Sequence, residues 1–146
     1  MKKSAVILGL VLLLLASAWG ISEKSLYVFC PQQYCTDGAM PYTGVIFDSK
    51  QQNLYGITMI GGASGYGSVF ELKRASSGWK ESLLYSFTGG ADGSTPLGPL
   101  VFDKAGKIYG ITTGGGAGFG TVFELTPNNG RGSSKPFIHS KVDPMA

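Results

Sequence analysis

Histidine is almost missing from this 146-residue sequence, and cysteine is scarce: His139 stands alone near the C-terminus, and Cys30 and Cys35 are the only thiols. A metal centre needs several His, Cys or carboxylate ligands at workable spacing, and His139 is too remote to join the cysteines in one. A serine triad would have only the same histidine to draw on. No glycine-rich run ends in Lys-Ser or Lys-Thr, and the run Gly114 to Gly120 lacks both dinucleotide spacing and a following helix. Gly62-Ala63-Ser64-Gly65-Tyr66 misses a nucleophile elbow at its last position. No catalytic residue, metal or cofactor is therefore expected.

Charge is equally sparse, at 14% of residues. The formal charge of +3 includes Lys2 and Lys3, and without those two it falls to +1, ten basic side chains against nine acidic. Such a surface has no basic footprint for nucleic acid or anionic membranes, so neither is expected as a partner.

Those two lysines open a segment with the three parts of a secretory signal. They are followed by the apolar run Ala5 to Ala16, then by Ala16-Ser17-Ala18 as a small-residue cleavage site. We read residues 1–18 as a signal peptide cut after Ala18. A membrane span needs about 20 apolar residues, and Ser17, Gly20, Ser22 and Glu23 interrupt this one too early. The expected location is the periplasm, cell envelope or extracellular space, with no stable membrane span after cleavage. In an oxidising compartment Cys30 and Cys35 are expected to form a local disulfide, with a metal site or redox pair as alternatives.

What the chain has in abundance is glycine, 23 residues, beside a 43% hydrophobic content that argues against a disordered linker. Most of it falls within an internal repeat. Gly44-Val45-Ile46-Phe47-Asp48 recurs as Pro99-Leu100-Val101-Phe102-Asp103, about 55 residues on. Leu54-Tyr55-Gly56-Ile57-Thr58 returns as Ile108-Tyr109-Gly110-Ile111-Thr112, and Gly67-Ser68-Val69-Phe70-Glu71-Leu72 as Gly120-Thr121-Val122-Phe123-Glu124-Leu125. Leu83-Leu84-Tyr85-Ser86-Phe87 is echoed upstream by Ser25-Leu26-Tyr27-Val28-Phe29, and each is followed by an Asp-Gly step and a proline.

Every one of these elements is short, rich in β-branched and aromatic residues, and bounded by turn formers, which is how strands read. Asp103-Lys104-Ala105-Gly106 suits a type I turn with glycine where positive φ is needed. The glycines in general are expected to serve turns. The fold class is therefore all-β, two propeller-blade-like four-stranded units that form a partial β-propeller after the signal peptide. A sandwich or β-solenoid has the same periodicity. The tandem domain covers 19–127, with units at about 42–87 and 97–127 and an N-terminal strand at 25–29; residues 128–146 form an irregular tail. The second unit lacks its last strand. Either Ser25 to Phe29 pairs beside Thr121 to Leu125, within the chain or in a neighbour, or the chain is a truncated piece of a longer repeat protein.

The paired motifs, the Leu83 to Phe87 run and Asp92-Gly93 look like the tandem repeats of the GloVer family, exported bacterial repeats regarded as propeller-like. The resemblance spans Leu26 to about Pro127, and the cysteine-flanked insertion before Asp37-Gly38 resembles a common variant of that repeat. It implies a fold and a compartment, and no reaction. Members usually carry many more copies than two, so this chain is not expected to close a ring by itself.

Two classes of function remain. The leading one is a non-catalytic extracellular or envelope module that binds a glycan or surface protein through its glycine loops and self-associates through blade edges. Its binding candidates are Tyr66 and Phe119, each a lone aromatic between glycines at corresponding positions, with hydrophobic cover of the blade edge as the favoured structural role. The alternative is a carbohydrate-active enzyme using Asp48, Asp103, Glu71 or Glu124. Their repeated placement suggests turn capping and bracing instead, because acid and base roles need unequal environments.

Overall fold

The computed structural model describes residues 20–31 and 33–126. Residues 1–18, expected to be a signal peptide, His139 and the expected irregular tail 128–146 lie outside the described residues. Within them the chain is all-β with no helix, and it forms two four-stranded antiparallel sheets.

The first sheet runs in simple order through β1 (Ile46–Phe47), β2 (Asn53–Thr58), β3 (Ser68–Ala75) and β4 (Gly78–Ser86). The second contains β5 (Ser94–Pro96), β6 (Val101–Phe102), β7 (Ile108–Gly114) and β8 (Thr121–Leu125), with β7 pairing all three others. A strand has two edges, and β8 takes one along Ile108 to Thr112, so β5 and β6 share the other. The first unit repeats this plan, because an isolated Ala39–Ile60 bridge stands where Ser94 pairs Gly114. It then adds β4, for which the second sheet has no counterpart among the described residues.

Local chemistry explains the turns. Gly106 sits at φ +81° and donates to the Asp103 carbonyl at 3.1 Å, while Asp103 Oδ1 accepts the Ala105 and Lys107 amides. In the first unit Gln51 takes the same left-handed position, at φ +54°, and Asp48 Oδ1 accepts the Gln52 amide. The carboxylate cap therefore holds the turn even where glycine is absent.

Two expectations change. Ser25 to Phe29 forms no strand and does not lie beside β8; Tyr27 and Phe29 instead pack on the first sheet, with Phe29 edge-on to Phe70 at 4.8 Å. Burying two aromatic rings against Leu54, Phe70 and Leu72 outweighs a short ladder of hydrogen bonds at an exposed edge. Not all glycines serve turns, either. Gly56 and Gly110 lie within strands directly opposite Phe70 and Phe123, whose rings occupy the space a side chain would need. The glycine admits the ring over the backbone.

The main core lies between the sheets. Ile57 and Val69 from the first pack with Phe87, Leu100, Ile108, Phe123 and Leu125. Phe87 bridges them, its ring 5.1 Å from Phe123 in an edge arrangement. Tyr55 and Phe102 seal the rim of the junction at 5.0 Å. On the far face of the first sheet Leu54, Phe70 and Leu72 form a smaller core under Tyr27, Phe29 and Trp79.

Candidate functional loop end

Four loops meet at one end of the sheets, and their contacts are backbone contacts. The Cys35 carbonyl accepts both Gly38 N at 2.8 Å and Gly62 N at 2.9 Å. In the second unit the Gly90 carbonyl does the same for Gly93 and Gly116. Beneath each pair two hydroxyls meet across the sheet, Thr58 with Ser68 at 2.6 Å and Thr112 with Thr121 at 2.9 Å. Gly38 and Gly93 sit directly on those hydroxyls at positive φ, so any side chain there would both strain the backbone and collide. The loops are thus anchored on buried polar pairs, which stay satisfied by each other.

Cys30 and Cys35 form the expected disulfide, which closes the longer loop of the first unit. Tyr34, within it, is exposed.

The two aromatic candidates part company. Tyr66 is 48% exposed, with its ring against Gly89 of the following loop and its carbonyl accepting Thr95 N at 2.9 Å. Phe119, at the corresponding position, is 94% exposed. Tyr66 therefore ties one unit to the next, whereas Phe119 projects from the end of the row.

The repeated carboxylates are bound up structurally. Glu71 accepts the Tyr55 hydroxyl at 2.6 Å and pairs with Lys73 at 3.1 Å, and burial together with that carboxylate pushes the tyrosine pKa well up. Lys107 and Tyr109 hold Glu124 below the ordinary carboxylate range, with Lys107 Nζ 2.8 Å away. Asp48 and Asp103 cap the two turns. Among the described residues no group of His, Cys, Asp and Glu could hold a metal ion, and no helix is long and apolar enough to cross a membrane.

A repeated carboxylate pairing escaped the sequence reading. The Tyr27 hydroxyl donates to Asp37 at 2.8 Å, and Cys30 N donates to the same carboxylate. Tyr85 and Thr88 do the same to Asp92, where burial opposes ionisation but the hydrogen bonds outweigh it and lower the pKa. The shared Tyr-x-Phe and Asp-Gly steps carried this signal. Beside the first of these lies Glu81, half-buried, with Oε1 unpartnered. Burial, reinforced by the Asp37 charge, raises its pKa to about 7.

The Gloeobacter/Verrucomicrobia repeat profile matches residues 19–140, most of the chain. The chain belongs to that repeat family. The match agrees with the GloVer resemblance and with the two units seen in the sheets. No curated protein and no solved structure matches the chain. Membership of the Gloeobacter/Verrucomicrobia repeat family establishes a repeat protein and assigns it no reaction.

Proposed function

We propose that this chain is a non-catalytic module of the periplasm, cell envelope or extracellular space. Its two units act as successive blades of a propeller-like fold and bind a glycan or surface protein through the loop end. The observation that carries the reading is that Tyr34, Tyr66 and Phe119 are each solvent-exposed on loops held by backbone hydrogen bonds and one disulfide. Rigid loops lose little entropy on binding, and aromatic faces suit sugar rings and protein pockets alike.

Export rests on the sequence features of residues 1–18, with which the disulfide is compatible. The carbohydrate-active alternative has less support, since Asp48, Asp103, Glu71 and Glu124 each hold a turn or a neighbouring side chain.

Binding of the chain from Trp19 to Ala146 to a panel of immobilised polysaccharides and to cell-surface extracts tests the proposal. Tyr66→Ala with Phe119→Ala should weaken capture by about tenfold or more. Undiminished capture would remove the loop end from the reading, and turnover lost on Glu71→Gln or Glu124→Gln would replace it with the enzymatic one.

A further inference from the structure

The two ends of this molecule carry the two halves of its own internal junction. Four residues at the junction between the units have counterparts at the outer faces of the described sheets that are exposed, while the counterparts of Ile108, Phe123 and Leu125, which are Leu54, Phe70 and Leu72, lie buried under Tyr27, Phe29 and Trp79. Val69 is fully buried at the junction, whereas Val122, in the same place on β8, is 69% exposed. Ile57 is 2% exposed and its counterpart Ile111 49%. These residues form the trailing face of each unit. On the leading face, Leu100 is 3% exposed at the junction and its counterpart Val45 47%. Phe102, which packs on Tyr55, matches Phe47, which is exposed.

Identical sequence in different burial is the signature of an unfilled interface. Composition does not account for it, since Tyr-Gly-Ile-Thr is the same string in both units. A stack of repeats buries a continuous core between neighbours, and its terminal units normally carry polar outer faces. Among the described residues the two outer faces carry exposed apolar side chains, Val45 and Phe47 on one and Ile111 and Val122 on the other.

We propose that the mature chain assembles head to tail, the trailing face of one copy's second unit seating on the leading face of the next copy's first unit. The internal junction supplies the geometry. Ile111 and Val122 of one copy would meet Val45 of the next and the Phe29 that already lies over Phe70, as Ile57 and Val69 meet Leu100 and Phe87 over Phe123. Tyr109 would receive Phe47 as Tyr55 receives Phe102. At the loop end Thr95, at φ +52°, donates its amide to the Tyr66 carbonyl, and its counterpart Met40 already holds φ +57°. Met40 N of one copy would then reach the Phe119 carbonyl of the other, and the Phe119 ring would lie on the next copy's cystine loop as Tyr66 lies on Gly89. The leading face is thus preformed in backbone as well as in side chains.

The contact is heterologous, so it yields a closed ring or an open filament according to its rotation. With two units per copy, rings of two to four copies would hold about four to eight blades, the usual range of propellers. The inference stands on the junction and does not need the loop-end reading, but it would place Phe119 between copies and leave Tyr66 as the aromatic open to a ligand.

Sedimentation of the chain from Trp19 to Ala146 across a concentration series, with far-ultraviolet circular dichroism, gives the first reading: a discrete oligomer with β spectrum. Val122→Glu removes the trailing face and Val45→Glu the leading face. Each variant alone should be monomeric, and an equimolar mixture should form one-to-one dimers, because each lends the face the other lacks. Only a head-to-tail interface behaves so. Independently of variant folding, benzoylphenylalanine at Phe47 should crosslink to the peptide bearing Tyr109 of another copy. A monomeric folded wild type would overturn the proposal and leave the trailing face to residues 127–146 of the same chain. Oligomers that survive both substitutions, or a crosslink confined to one copy, would overturn it as well.

Discussion

Adding one methyl group at Gly56 gives the sharpest test of how these sheets are packed. A Cβ built there would lie 2.5 Å from Phe70 Cζ and 2.9 Å from Cε1, with Val45 Cγ1 at 3.2 Å. Ordinary carbon contacts begin near ~3.5 Å, so the ring must withdraw by about an ångström. It cannot do so freely, because Phe70 is 2% exposed and pinned by Phe29, Leu54 and Leu72. Overpacking of this kind costs about 1–3 kcal/mol, and restricting the unfolded chain by replacing glycine returns about 0.4–1 kcal/mol. Gly56→Ala should therefore destabilise by about 1–2 kcal/mol. Phe70→Leu vacates the ring position, so the double variant should lose less than the two single costs together, with a coupling of about 1 kcal/mol or more. Urea denaturation followed by circular dichroism at one fixed protein concentration measures all three, since self-association would make stability concentration-dependent. Costs that add to within about 0.3 kcal/mol would refute the view that the glycine exists to seat the ring.

Glu81 should make stability depend on pH. Its folded pKa of about 7 lies above the ordinary 4.5, so the folded state retains a proton that the unfolded state releases, and stability falls as pH rises between those values. Glu81→Gln should flatten that slope and add about 1 kcal/mol above pH 7, a figure reduced from the full shift because the group is partly solvated; an unchanged slope in denaturation midpoints at pH 5 and pH 8 would sink the assignment. Cys30→Ala with Cys35→Ala opens a loop of sequence separation 5, and a loop that short is worth about 2 kcal/mol in chain entropy. Thermal unfolding of the double variant should fall accordingly, and a midpoint equal to wild type would show that the loop is held by its Asp37 and Gly62 hydrogen bonds alone.

Several features of the fold were legible before any coordinates. The strands of each unit and the turns at Asp48 and Asp103 follow from β-branched and aromatic runs bounded by turn residues, a signal that acts over a few neighbours. The disulfide followed from cysteine number and spacing. Ser25 to Phe29 was misread as a strand, because its pattern matches β4 while its partners differ: the rings find a hydrophobic bed on Phe70 and no adjacent edge. β5 went unseen because Ser94–Pro96 is three residues long and ends in proline. Glu81 was invisible as a titrating group, since its pKa depends on burial and on Asp37, more than forty positions away in the chain.

Sequence by itself determined the repeat, the all-β class and the turn chemistry, because periodicity, propensity and turn conformation are local properties of neighbouring residues. Only the tertiary structure decided which copy of the residues facing a neighbouring unit is inside. Ile57 and Ile111 stand in the same Tyr-Gly-Ile-Thr string, yet one lies in the core and the other faces solvent. Burial is set by what stacks on a sheet, and a repeat cannot encode in its own residues whether another repeat follows it.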